Sequence, residues 1–123
     1  MDTTLSTETK ALKGKVDEAS AFLKKLSNPD RLLVACALVE GERSVRELED
    51  GLGLRQPGLS QQLAELREAG LIVGRKEGKQ VFYRLADPRV EIVVNLTIPR
   101  AHVEVGLRAR DALIADWPAL VAP

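Results

Sequence analysis

The sequence predicts a mainly α-helical chain with one small β-hairpin (an α+β class), in the order α-α-α-α-β-β-α. Three observations carry this. Ser44 to Gly70 reads as two short helices about a glycine-containing turn. Two β-rich runs around a basic, Gly-containing tip follow at once. On either side lie stretches whose apolar residues recur at spacings of three and four, the period of an amphipathic helix. The 123 residues suit one domain, 1–123, with a modest core. Aromatics make up only 3%, so that core must be aliphatic.

Taken in order, residues 1–8 are polar and expected to fray. From about Thr9 to Leu26, the residues Leu12, Val16, Ala19, Leu23 and Leu26 form one apolar stripe. Asn28 can cap a second helix and Pro29 suits its first position. That helix, about Pro29 to Val39, is apolar nearly all round and should be the buried centre. Ser44 and Glu47 form a capping box for a third helix, with Val45, Leu48 and Leu52 inward. Gly51 and Gly53 permit the turn. Arg55-Gln56-Pro57 opens a fourth helix, with Gln56 a candidate cap, Leu59, Leu63 and Leu66 buried, and Gly70 at its end. A strand begins at Leu71-Ile72-Val73, and Val81 to Leu85 is its partner; Arg75 to Gln80 is the expected loop between them. Asp87-Pro88 starts a last helix, interrupted at Pro99 and resumed from about Arg100 to Trp117. The two flanking helical regions are thus 9–26 and 88–117.

Net charge is zero, which excludes binding of a polyanion by bulk charge, but the charge is unevenly placed. Arg55 to Arg84 carries six bases against three acids, whereas Glu40 to Asp50 carries five acids against two bases. A helix-turn-helix followed by a basic hairpin is a winged helix-turn-helix, whose second helix enters the DNA major groove while the wing reaches phosphates or the minor groove. Gln56, Ser60 and Gln61 stand early on that second helix. Glutamine can pair with both N6 and N7 of adenine, and serine serves several bases; equally, Gln56 or Ser60 can serve as a local cap. Arg55 and Arg67 suit phosphate contacts, and Arg75, Lys76 and Lys79 suit electrostatic anchoring of the wing.

The residues go further. Leu23 to Glu49 (LKKLSNPDRLLVACALVEGERSVRELE) and Arg55 to Leu85 (RQPGLSQQLAELREAGLIVGRKEGKQVFYRL) resemble the ArsR/SmtB family of bacterial transcription repressors. The most specific pieces are Leu26-Ser27-Asn28-Pro29-Asp30-Arg31, the SQQLAELREAGL run, and Gly78 to Leu85. The resemblance is dense from about Leu23 to Leu85 and loose outside. It implies a homodimer joined through the first and last helices, bound to a near-palindromic operator and released by a small inducer.

Family members sense metals, metalloids or reactive sulfur. The metal forms use cysteine clusters or paired His and carboxylate ligands, and neither is present: the soft ligands are Met1, Cys36 and His102. Four N or S ligands for a closed zinc site are lacking, and Glu91, His102 and Glu104 make at most a weak set between subunits. Arg31 to Ala37 resembles the persulfide- and sulfide-responsive branch, which links a Cys on this helix to a second Cys on the C-terminal helix. Cys36 matches the first position, and the second is empty. One Cys can form a sulfenic acid, a persulfide or an intersubunit link, or be a small apolar residue in a buried helix.

An enzyme is not expected: there is no Gly-rich phosphate loop and no Ser-His-acid set, and no cofactor is implied. The rival readings are a winged-helix module that docks a protein, a metal- or metalloid-responsive repressor with an atypical site, and an activator using the same DNA contacts. A single Cys, no secretory leader and no apolar run near the roughly 20 residues of a membrane span predict a cytoplasmic protein.

Overall fold

The structure, a computed structural model, describes residues 5–99. Its elements run α1 (Thr7–Leu26), α2 (Pro29–Val39), β1 (Arg43–Ser44), α3 (Val45–Leu52), α4 (Gly58–Glu68), β2 (Ile72–Glu77), β3 (Gln80–Leu85) and α5 (Pro88–Thr97). The expected helix over Arg100 to Trp117, and His102 and Glu104 with it, lie outside the described residues.

Local signals set most boundaries. The Ser6 hydroxyl accepts the Thr9 N–H at 3.0 Å, so α1 starts two residues before the apolar stripe suggests. Asn28 caps α2 through the Arg31 N–H, and Asp87 caps α5 through the Arg89 N–H. The capping box at α3 is reciprocal: Glu47 N–H donates to Ser44 Oγ at 3.0 Å, and Ser44 N–H donates to Glu47 Oε1 at 2.8 Å. Helix α5 stops at Thr97 because Ile98, the residue before Pro99, is driven to extended backbone.

The core is built on α2, whose residues Val34 to Val39 are all buried. Leu48 and Leu52 of α3, Leu59, Leu63 and Leu66 of α4, and Val90 and Val94 of α5 pack around it. Truncating Leu66, fully buried, belongs to the class of change that costs about 2–5 kcal/mol.

Two features depart from expectation. The hairpin strands are longer: β2 and β3 pair antiparallel from Ile72↔Leu85 to Glu77↔Gln80, so Arg75 and Lys76 are strand residues and only Gly78-Lys79 turns. Gly78, at φ 62°, fills the first central position of that two-residue turn, where a side chain would be strained. Gly74 faces Tyr83, and a Cβ there would lie 2.9 Å from the ring, so a glycine is what lets the buried tyrosine lie across β2. Second, Arg43–Ser44 forms an unpredicted strand on the outer edge of β3, giving the antiparallel order β1-β3-β2. It ties the entry of α3 to the wing. The α1 stripe, which the family resemblance assigns to a dimer contact, lies mostly outside the core of the single chain. Leu12, Val16 and Leu23 are 63%, 54% and 51% exposed, and only Phe22 and Leu26 are buried. Ile92 and Leu96 of α5 are exposed as well.

Candidate nucleic-acid interface

Helix α4 is held to the core by leucines at spacings of four and three, which turns a polar face outward. Ser60, Gln61 and Arg67 are on that face and exposed, with Arg55 and Gln56 exposed just ahead of it. Five of the sequence-predicted residues thus lie exposed on or just ahead of one helix, but they are not equivalent. The Gln56 side-chain oxygen accepts both the Ser60 N–H, at 3.0 Å, and the Ser60 hydroxyl. Pro57, at the N-cap position, supplies no side-chain cap, so Gln56 does that work from one residue upstream. Gln56 and Ser60 thus satisfy each other, as their capping alternative requires. Gln61 makes no side-chain hydrogen bond among the described residues. Its amide keeps both a donor and an acceptor for a base edge.

The wing stands beside α4 and is joined to it where Arg67 Nη1 donates to the Tyr83 hydroxyl at 3.4 Å. Lys76 and Lys79 are exposed and form no ion pair among the described residues. Arg75 differs. Its guanidinium forks onto Glu42, with Nη2 to Oε1 at 2.7 Å and Nε to both carboxylate oxygens at 2.9 and 3.0 Å. It also lies 4.6 Å above the Phe82 ring and 3.5 Å from Glu77. The Arg75 fork holds the Glu42 carboxyl below the usual carboxylate range, so this pair stays ionised well into mild acid. Arg75 thus braces the wing against the loop before β1, with its charge largely answered from within. Sequence reasoning missed Glu42, whose only signal was membership of an acidic block 33 residues upstream of Arg75.

Cys36 lies on α2, buried to 7% exposure among the core aliphatics. Burial pushes its thiol from 9.0 up to about 11. No group of three or more His, Cys, Asp or Glu side chains among the described residues could hold a metal ion. No helix among them is long and apolar enough to cross a membrane.

Comparison with known proteins gives this geometry a context. Residues 28–73 match the model of the bacterial regulatory protein arsR family. The chain is 52% identical over 79 residues to the biofilm growth-associated repressor of Agrobacterium fabrum, covering 64% of this chain and 68% of that one. It is 43% identical over 79 residues to the transcriptional activator HlyU of Vibrio cholerae, covering 64% and 73%. Among solved structures, the homodimeric winged helix-turn-helix DNA-binding domain of Mb0332 from Mycobacterium bovis superposes with a TM-score of 0.62. That match has 27% identity and covers 88% of this chain and 97% of the other. A matching family model across the helix-turn-helix, relatives at this identity and a shared winged fold agree: the chain belongs to the ArsR family of bacterial regulatory proteins, winged-helix DNA-binding transcription regulators.

Proposed function

We propose that this regulator is a homodimeric repressor that binds a near-palindromic operator. Helix α4 of each protomer enters one of two major grooves whose centres lie roughly 34–36 Å apart. The observation that carries the reading is the pairing of an unengaged Gln61 on the outer face of α4 with uncommitted wing lysines, Lys76 and Lys79, beside it. Arg55, Arg67, Lys76 and Lys79 take phosphates; Gln61 reads a base, and Gln56 and Ser60 support it by fixing the helix start. Arg75 is assigned to bracing the wing rather than to DNA. The homodimeric state of Mb0332 supports the dimer, as do the exposed apolar faces of α1 and α5. The HlyU relative favours one second reading, activation through the same operator contacts.

The test is a salt titration on the upstream promoter fragment. Four phosphate contacts per protomer predict a slope of log K against log salt near roughly −7 for the dimer. Salt-insensitive binding, or equal affinity for scrambled DNA, removes the reading and leaves a protein-docking module.

Cys36 is assigned to packing rather than to sensing through its thiolate. With the thiol at about 11, only about one part in ten thousand is ionised at pH 7, and the thiolate is the reactive form. Iodoacetamide at pH 7 should therefore leave the native protein unmodified and alkylate one thiol in urea. Polysulfide or peroxide should leave operator affinity unchanged. The burial also predicts a pH signature. The protonated thiol favours the folded state, so its contribution is intact below about pH 9 and is lost as the pH rises towards about 11. Cys36→Ala should lack that component of alkaline destabilisation. Rapid native modification with loss of DNA binding makes Cys36 the sensor instead.

A further inference from the structure

Helix α4 is gripped by polar side chains along both edges, and the grip on one edge comes from the end of α1. Lys25 Nζ, in the last turn of α1, lies 2.7 Å from Glu65 Oε1. Arg31, in the first turn of α2, donates from Nη1 to Gln62 Oε1 at 3.0 Å and from Nε to the Lys25 carbonyl at 2.7 Å. Gln62 and Glu65 are one turn apart on α4. At 100° per residue they occupy the strip between the buried leucines and Gln61. The other edge is held to the wing by Arg67 and Tyr83. The leucines fix how deep α4 sits, but apolar contact is non-directional. Rotation and sliding of the helix are limited by these directional bonds.

We propose that Lys25 and Arg31 are positioning residues for operator binding. Together they tie the Gln62–Glu65 edge of α4 to the end of α1, so that the reading helix and the apolar face of α1 keep one fixed relation. The proposal rests on the operator-binding reading above. In a dimer joined through α1, the separation and angle of the two reading helices are transmitted through this corner. A loose corner leaves each α4 to be ordered on DNA, and that ordering subtracts from affinity for a correctly spaced site. Non-specific binding, which needs only charge near phosphate, does not require it.

The experiment measures affinity for operator and for scrambled DNA, with dimer mass by sedimentation and thermal midpoint alongside. Arg31→Ala, Lys25→Glu and the charge swap Lys25→Glu with Glu65→Lys are compared with the wild type. A threefold loss at each half-site multiplies to a loss of about tenfold for the dimer. That loss is expected on operator for both single variants, with scrambled DNA changed by less than about twofold and dimer mass unchanged. The swap, which conserves charge, should restore operator affinity; a merely structural effect of losing Lys25 would not be rescued in this way. If Arg31→Ala fails to fold, the comparison of Lys25→Glu with the charge swap alone decides. An operator-to-scrambled ratio matching the wild type in the folded single variants, or a swap that recovers nothing, overturns the proposal. Absence of any operator preference in the wild type removes the functional reading itself, a separate outcome.

Discussion

Gln61→Ala is expected to erase most of the preference for operator over scrambled DNA while leaving fold and dimer intact. The reasoning is stereochemical. Bidentate recognition of adenine needs the carbonyl oxygen and the amino group of one amide at once. Gln56 has already committed its oxygen to Ser60, so its two functions are not jointly available without uncapping α4. Gln61, one residue beyond Ser60, has both. Each good bidentate pair is worth about 1–3 kcal/mol of discrimination, and a dimer makes two. The ratio should therefore fall by about thirtyfold or more. Lys79→Ala is the contrasting case. It should weaken operator and scrambled DNA together and make the salt dependence shallower by roughly two contacts per dimer. Unchanged specificity in Gln61→Ala would sink its role as base reader and move the search to Gln56, which would then have to release Ser60 on binding.

The sequence offered Gln56 as either a cap or a base reader, and the Gln56–Ser60 bonds decide between the two; elsewhere in the molecule, too, local chemistry was legible and long-range pairing was not. Whatever rests on local chemistry could be read directly. The Ser44–Glu47 box, the Asn28 and Asp87 caps and the leucine spacing of α4 each involve residues within one or two turns, and each is realised. What depends on the arrangement of distant segments left no mark. Arg75 and Glu42 are 33 residues apart, and Lys25 and Glu65 are 40 apart; nothing local distinguishes them from other surface charges. The wing was read too short for a related reason. Period-two alternation arises when one face of a strand is buried. Only Ile72 of β2 is buried, so the exposed Arg75, Lys76 and Glu77 at its far end looked like loop. Strand β1 is two residues long, and its existence depends wholly on the edge that β3 offers.

The α1 stripe is the opposite case, plain in the sequence but unexplained by one chain, and it sets up the other large effect. Leu12→Glu combined with Val16→Glu is expected to convert the dimer to monomer and to lower operator affinity by roughly 100-fold or more. Neither side chain belongs to the core: they are 63% and 54% exposed, whereas the part of α1 that docks on α2 is at Phe22 and Leu26. The substitutions therefore remove no buried contact from the single chain. They act only if the stripe is covered by a second copy, where two carboxylates per protomer would be desolvated without partners. Ile92 and Leu96 on α5 are exposed apolar residues too, available to a second copy. Large exposed apolar side chains repeated along one helix face of a small domain are what an interface needs. The loss on DNA follows from linkage. In the dimer the second half-site is engaged at the high effective concentration set by the first, and a monomer forfeits this although each α4 is untouched. Melting separates the possibilities. The wild-type midpoint should rise with protein concentration, because association stabilises only the folded chain, and the variant's should not. A variant that sediments as a dimer and melts like the wild type would place the interface elsewhere. The exposed leucines of α1 would then need a different partner, and the route from α1 through Lys25 and Arg31 to the reading helix would lose its purpose.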